Sequence, residues 1–156
     1  MNKLIALAVL LAAPSFAADK PVKLAVSVTD DPLFKVSFRI KAEDLSEAGS
    51  FVIQSGTEAD YHVGGEDPLQ IDKAVEFKKH NTSVSCIPVT NPTNGLIHAE
   101  CQFEISGYRR PVGDIKEPPT ISFQLKTAFD VRPGKTLLLV DDETRRVEVK
   151  IEELKP

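Results

Sequence analysis

The side chains able to do chemistry are few and scattered. Histidine occurs only at His62, His80 and His98, and no two of them stand four apart with an acidic partner, the helical arrangement of a metalloprotease. They read as surface or strand-edge residues, and a zinc site would need the fold to gather them. Ser55, Ser83, Ser85 and Ser106 lack the glycine-flanked turn of a nucleophile elbow. Gly56 and Gly64-Gly65 are followed by no Lys-Ser or Lys-Thr, so they suit turns better than a phosphate loop. No catalytic residue, metal ligand or cofactor is therefore assigned, and the expectation is a protein that is not an enzyme. Two pairs remain as candidate partner contacts. Arg109-Arg110 offers planar guanidinium groups that can clamp an anionic partner, against the simpler reading of a solvated loop. Pro133-Gly134 is either a contact tip or a turn needed only for folding.

The remaining reactive residues are Cys86 and Cys101, and the elements around them are the clearest in the chain. Val84, Cys86 and Pro88 alternate with outward positions, as do Ile97, Ala99, Cys101, Phe103 and Ile105. That period of two marks half-buried strands, with each cysteine on the apolar face. Asn91-Pro92-Thr93-Asn94-Gly95 between them is dense in turn formers, so the pair reads as an antiparallel hairpin. Folding about residue 93 or 94 sets Cys86 opposite Cys101 or one place away, and a cross-strand disulfide follows in an oxidising compartment.

The compartment is indicated by the first residues, MNKLIALAVLLAAPSFA. A positive Lys3, an apolar run from Leu4 to Ala13, Pro14, and small residues at Ser15 and Ala17 make the pattern of a secretory signal peptide. The run falls short of the ~20 residues that cross a bilayer. The expected organisation is a signal over 1–17 and a single β-rich domain over 18–156, with a periplasmic location and outer-membrane association left open. The whole chain carries 19 Lys and Arg against 23 Asp and Glu. Its basic residues are interspersed with acids and form no stripe, which excludes a nucleic-acid binder.

Strand signals recur through the rest. Val22, Leu24, Val26 and Val28 alternate with polar or small residues, and Phe34, Val36, Phe38 and Ile40 do the same beyond a turn at Asp30-Asp31-Pro32. Lys41–Ala48 is expected to be a short helix or loop, followed by a strand at Phe51-Val52-Ile53 and a turn at Ser55-Gly56. Thr57–Val63 alternates until Gly64-Gly65-Glu66-Asp67-Pro68, which is expected to end it, and Ile71–Phe77 fits helix or strand equally. Gly107–Pro119 reads as a long polar loop. Ile121 to Val131 is expected to be the longest strand. It is followed by a type II turn at Arg132-Pro133-Gly134-Lys135, a return strand at Thr136–Val140 and a last strand bearing Val147, Val149 and Ile151, the three forming a meander. The fold class is mainly β: a single-domain antiparallel β-sandwich or twisted sheet with hairpins.

From Gly56 onward the order of these features resembles the C-terminal secretin domain of type II and type III secretion systems. Gly56-Thr57-Glu58-Ala59 and Val63–Pro68 are similar to its glycine-bearing segment. Val75-Glu76-Phe77 and Thr82–Pro88 are similar to a strand pair ending in proline, and Gly95-Leu96-Ile97 with Glu100–Ser106 to the strand that closes in Ile-Ser. Pro119–Thr127 and Val131–Val140 resemble the strand, glycine turn and apolar return strand. Arg145–Lys150 stands where the family has a glycine- and proline-rich apolar ending. Only the strands between Val22 and Ile53 precede the matching region, in place of ring-building domains. The chain also lacks tryptophan and aromatic girdles, so the resemblance is not carried to a membrane-spanning channel. It implies a non-enzymatic exported envelope protein that acts through protein–protein contacts or self-association in a secretion-type assembly. The alternative is an independent soluble periplasmic binding or adaptor module, with its pocket among the Gly64–Pro68 and Gly107–Pro119 loops.

Overall fold

A computed structural model describes residues 31–71, 74–109 and 118–154. The described residues form eight strands and no helix: β1 Leu33–Ala42, β2 Leu45–Gln54, β3 Ala59–Ile71, β4 Ala74–Thr90, β5 Ile97–Tyr108, β6 Thr120–Val131, β7 Thr136–Asp141 and β8 Arg145–Leu154. They make two open four-stranded antiparallel sheets, in the orders β2-β1-β8-β7 and β3-β4-β5-β6. The expected strand at Val22–Val28 lies outside the described residues.

Alternation dictates the core. Phe34, Val36, Phe38, Ile40 and Ala42 of β1 point inward beside Val147, Val149 and Ile151 of β8. Val84 and Cys86 of β4 and Ala99, Cys101, Phe103 and Ile105 of β5 point inward from the other sheet, and all belong to one buried cluster. Burying such rows is the main favourable term for a fold of this kind. The central hairpin turns at Asn91–Gly95, with Gly95 at a φ of 67° that favours glycine. Asn91 Oδ1 accepts from the Thr93 amide at 2.9 Å, and Asn94 Oδ1 from the Leu96 amide at 3.0 Å. Its register sets Cys86 directly across from Cys101, and the two form a disulfide.

Several expectations are corrected. Lys41–Ala48 holds no helix: β1 runs to Ala42, Glu43-Asp44 turns the chain with Glu43 at a φ of 51°, and β2 starts at Leu45. The inward row of β2 is Leu45, Glu47, Gly49, Phe51 and Ile53, in which a charge and a glycine hide the strand period. Gly64–Pro68 does not end β3, which continues to Ile71 against β4. β3 is an edge strand, where a proline is tolerated because one side of the backbone needs no ladder partner. The residues 74–77 are strand. Of the loop expected at Gly107–Pro119, Gly107 and Tyr108 belong to β5, and the residues 110–117 lie outside the described residues. β4, with 17 residues, exceeds the 12 of β6.

The C-terminal third is not a meander. β6 pairs with β5, whereas β7 pairs with β8 in the other sheet. The turn at Arg132–Lys135 therefore crosses between sheets. Gly134 has a φ of 76°, its amide donates to the Ile151 carbonyl at 2.8 Å, and the Lys135 amide donates to the Arg132 carbonyl at 3.0 Å.

The β7–β8 turn is held by Asp142, whose carboxylate accepts from the amides of Thr144 at 3.0 Å and Arg145 at 2.7 Å and from Arg145 Nε at 2.8 Å. The Arg145 side chain, then the Thr144 amide, lower the Asp142 pKa from 3.8 to about 2. Because the folded value is depressed, this turn's contribution is fully present above the unfolded pKa of 3.8 and is lost as pH falls through about 2. A carbon-detected NMR titration is expected to give an Asp142 midpoint near 2. A midpoint at the ordinary carboxylate value would show that the turn is not capped in this way.

Candidate functional site

Among the described residues the two sheets close on neither side, so each ends in free edge strands: β2 and β7 in one, β3 and β6 in the other. An edge strand carries unpaired amides and carbonyls able to accept another strand. On these edges Val52, Val63 and Leu138 are exposed. β4 pairs with β5 only from Asn81, but with β3 from Ala74. The residues 74–80 and their β3 partners therefore form a two-stranded ribbon that overhangs the sheet, with Val75 60% and Phe77 65% exposed. An isolated two-stranded ribbon is marginal in water, and apolar side chains on it favour a partner surface.

The β2/β3 side is sealed by one aromatic residue. Tyr61 lies edge-on to Phe38 with ring centroids 4.9 Å apart. A Cβ at Gly49 would approach both rings to 2.8 Å, so glycine is what lets β2 pass beneath them. The Tyr61 hydroxyl faces Glu47 Oε1 at 3.5 Å, and desolvation, with the Glu47 charge, raises the phenol above its ordinary pKa.

A cleft of about 810 Å³ opens where the overhanging ribbon stands above the β1–β2 turn. Leu45, Leu69 and Ile105 supply apolar wall, while Lys78, His80 and Arg109 bring positive or titratable groups. Those groups have partners already. His80 Nδ1 is 3.1 Å from Asp67 Oδ2, Lys78 Nζ is 3.0 Å from Glu76 and 5.7 Å from the Tyr108 ring centre, and Arg109 pairs with Glu43 and with Asp44 at 3.7 Å. The arrangement ties β5 to the β1–β2 turn and leaves little unmatched charge for a small anion.

The structure disperses the residues singled out in the sequence. Cys86 and Cys101 are buried staples. Arg109 is engaged across the sheets, and Arg110 lies outside the described residues, as do 111–117. Pro133 and Gly134 occupy the crossing turn, far along the chain from the cleft-lining residues. His62 is exposed, and His98 Nδ1 pairs with Asp130 Oδ1 at 2.9 Å across β5 and β6. Among the described residues no three His, Cys, Asp or Glu side chains cluster as a metal site. The crossing of β6 and β7 was missed by pattern alone, although a Pro-Gly type II turn splays strands where tight hairpins prefer the primed types.

No protein-family model matches the sequence, and no curated protein matches it. Among solved structures, the chain is similar to the Salmonella SPI-1 type III secretion injectisome secretin InvG in its open-gate state, with a TM-score of 0.53, 11% identity, and coverage of 80% of this chain and 58% of that one. The InvG secretin-domain β-barrel of the injectisome NC-base has a TM-score of 0.48 at 12% identity, covering 80% and 61%. InvG in the basal body with PrgH and PrgK has 0.47 at 12%, covering 80% and 44%. The chain thus spans less than two thirds of each neighbour. The first likeness shows a secretin-like fold.

Proposed function

We propose that this protein is an exported, non-enzymatic component of the cell envelope that acts through protein contacts, built like part of a secretin core. In this reading residues 1–17 are a secretory signal and 18–156 one β-rich domain in the periplasm. The observation that supports it most is the set of free edges on two open sheets, because strand addition at such edges is a recurrent mode of protein recognition. The overhanging ribbon with Phe77 and Val75 and the crossing turn at Pro133-Gly134 are the further contact surfaces.

The test is the absolute mass of the protein released by osmotic shock, measured by light scattering behind a sizing column, with the membrane pellet probed in parallel. An assembly of several chains, concentration-dependent or retained with the pellet, is expected. A single-chain mass at every concentration would reject self-association. It would favour the second reading, a soluble binding or adaptor module, which is motivated by the cleft that Asp67, Pro68, Tyr108 and Arg109 line.

A further inference from the structure

The two sheets meet by their inward rows, so their outward faces look away from each other on opposite sides of the molecule. The outward face of the β2-β1-β8-β7 sheet carries Lys35, Arg39 and Lys41 of β1 and Arg146 and Lys150 of β8. Glu148, Glu152 and Asp141 oppose them, so this face has a formal surplus of positive charge. The outward face of the other sheet, apart from the overhanging ribbon, carries Asp60, Glu100, Glu104 and Asp130 against Lys126. With histidine counted as neutral, as in the net charge of −4, its surplus is negative. A chain that is acidic overall thus sets a positive face back to back with a negative one. Segregation of sign of this kind steers and orients association.

The charge left over lies near the middle of each face. Among the described residues Lys41, Glu100 and Glu104 have no ion-pair partner. Arg39 stands 3.9 Å from Glu148, which Arg146 holds more closely at 2.7 Å. Lys35 and Arg39 lie four residues apart on β1, as do Glu100 and Glu104 on β5. Each interval is about 13 Å in extended chain. β1 of one molecule laid along β5 of another therefore brings both pairs into step. Stacked sheets lie about 10 Å apart, a gap that a long basic side chain and a glutamate bridge together. The neighbouring strands do not obstruct the approach, since Ser46, Ala48 and Ser50 on β2 and Ser83 and Ser85 on β4 are small and face outward.

We infer that the outward face of the β2-β1-β8-β7 sheet of one copy stacks on the outward face of the β3-β4-β5-β6 sheet of a second copy, with Lys35 and Arg39 against Glu100 and Glu104 of that second copy. A second copy fits because one chain supplies both surfaces, opposite in sign and equal in interval, whereas a simple anionic partner would use only the positive one. The contact is head-to-tail and adds copies until a ring closes or a filament grows. Exposed ion pairs contribute little each and are screened by salt, so the contact weakens as salt is raised. This rests on the self-association reading above and assigns it to the sheet faces.

The experiment uses two charge-reversed forms of the full mature protein, Lys35→Glu with Arg39→Glu, and Glu100→Lys with Glu104→Lys. Light scattering behind a sizing column reads their association beside the wild type, and circular dichroism their fold. Each form alone is expected to associate more weakly by roughly tenfold or more, because like charges then face each other. An equimolar mixture is expected to recover the wild-type mass, since the reversed faces match each other and the untouched faces match each other. Recovery also shows that both forms are folded. Lys41→Glu, which has no ion pair to lose, is the milder form for the positive face and is expected to weaken association in the same direction. Unchanged association in both reversed forms while the wild type assembles would overturn the inference and leave edge pairing as the route. Weakening of only one form, or of both without recovery on mixing, would overturn it as well. A wild type that stays a single chain at every concentration would remove this inference and the self-association reading together.

Discussion

Replacing Phe103 by alanine is expected to lower the free energy of unfolding by about 3–5 kcal/mol. Phe103 lies in β5 between Val84 of β4 and Leu125 of β6, and it has no exposed surface. Its ring is packed from both sides within its sheet and covered by the opposing one, so truncation removes the transfer energy of the ring and leaves a cavity that paired strands cannot collapse to fill. A loss of this size is a large part of the roughly 5–15 kcal/mol by which a domain is stable. Phe77→Ala supplies the contrast. Phe77 is 65% exposed on the overhanging ribbon, and its removal should change stability by no more than about 0.5 kcal/mol while weakening any contact the ribbon makes. Urea denaturation of both variants, followed by circular dichroism, checks the pair. Equal losses would mean that the two sheets do not share the core described here.

What the sequence disclosed depended on whether burial followed a simple period. The rows in β1, β5, β6 and β8 alternate cleanly, and the structure places them inward. The turn at Asn91–Gly95 was legible because asparagine, proline and glycine each fix backbone geometry locally. β2 was read only in part, because Glu47 faces the Tyr61 hydroxyl and Gly49 lies beneath two rings. Tyr61 belongs to the opposing sheet and Phe38 to the neighbouring strand β1, so neither requirement leaves a trace in the sequence of β2 itself. Gly64-Gly65 looked like a strand end because its requirement comes from the paired strand: at Gly65 the ring of its cross-strand partner His80 occupies the space a Cβ would need, approaching to 3.0 Å. Sheet membership was the deeper omission. A turn signal marks a change of direction, but whether β7 returns beside β6 or crosses to β8 depends on which apolar faces remain to be covered. The free edges, which carry the proposed function, follow from that topology and so could not be located from alternation alone.

Cys86→Ser is expected to lower stability by about 3 kcal/mol, the chain-entropy value for a loop of this length, with the 15-residue separation of Cys86 and Cys101 setting the scale. A further destabilisation comes from the serine hydroxyl, which would sit where the thiol is 1% exposed among Val84, Ala99 and Phe103. For a domain of this size the melting temperature should fall by roughly 10 °C. The register makes the argument specific: Cys86 and Cys101 are direct cross-strand partners on the core face, so the bond clamps the two central strands of the sheet whose outer edges are proposed to recruit another chain. Loosening it should weaken assembly as well as folding, because an edge strand is only as well positioned as the strand beside it. Thiol titration in denaturant without reductant is expected to find no reactive thiol in the wild type and one, Cys101, in the variant. Two reactive thiols in the wild type against one in the variant would show that the bridge does not form. A lost bridge with unchanged melting temperature would show instead that packing around Phe103 holds the hairpin by itself.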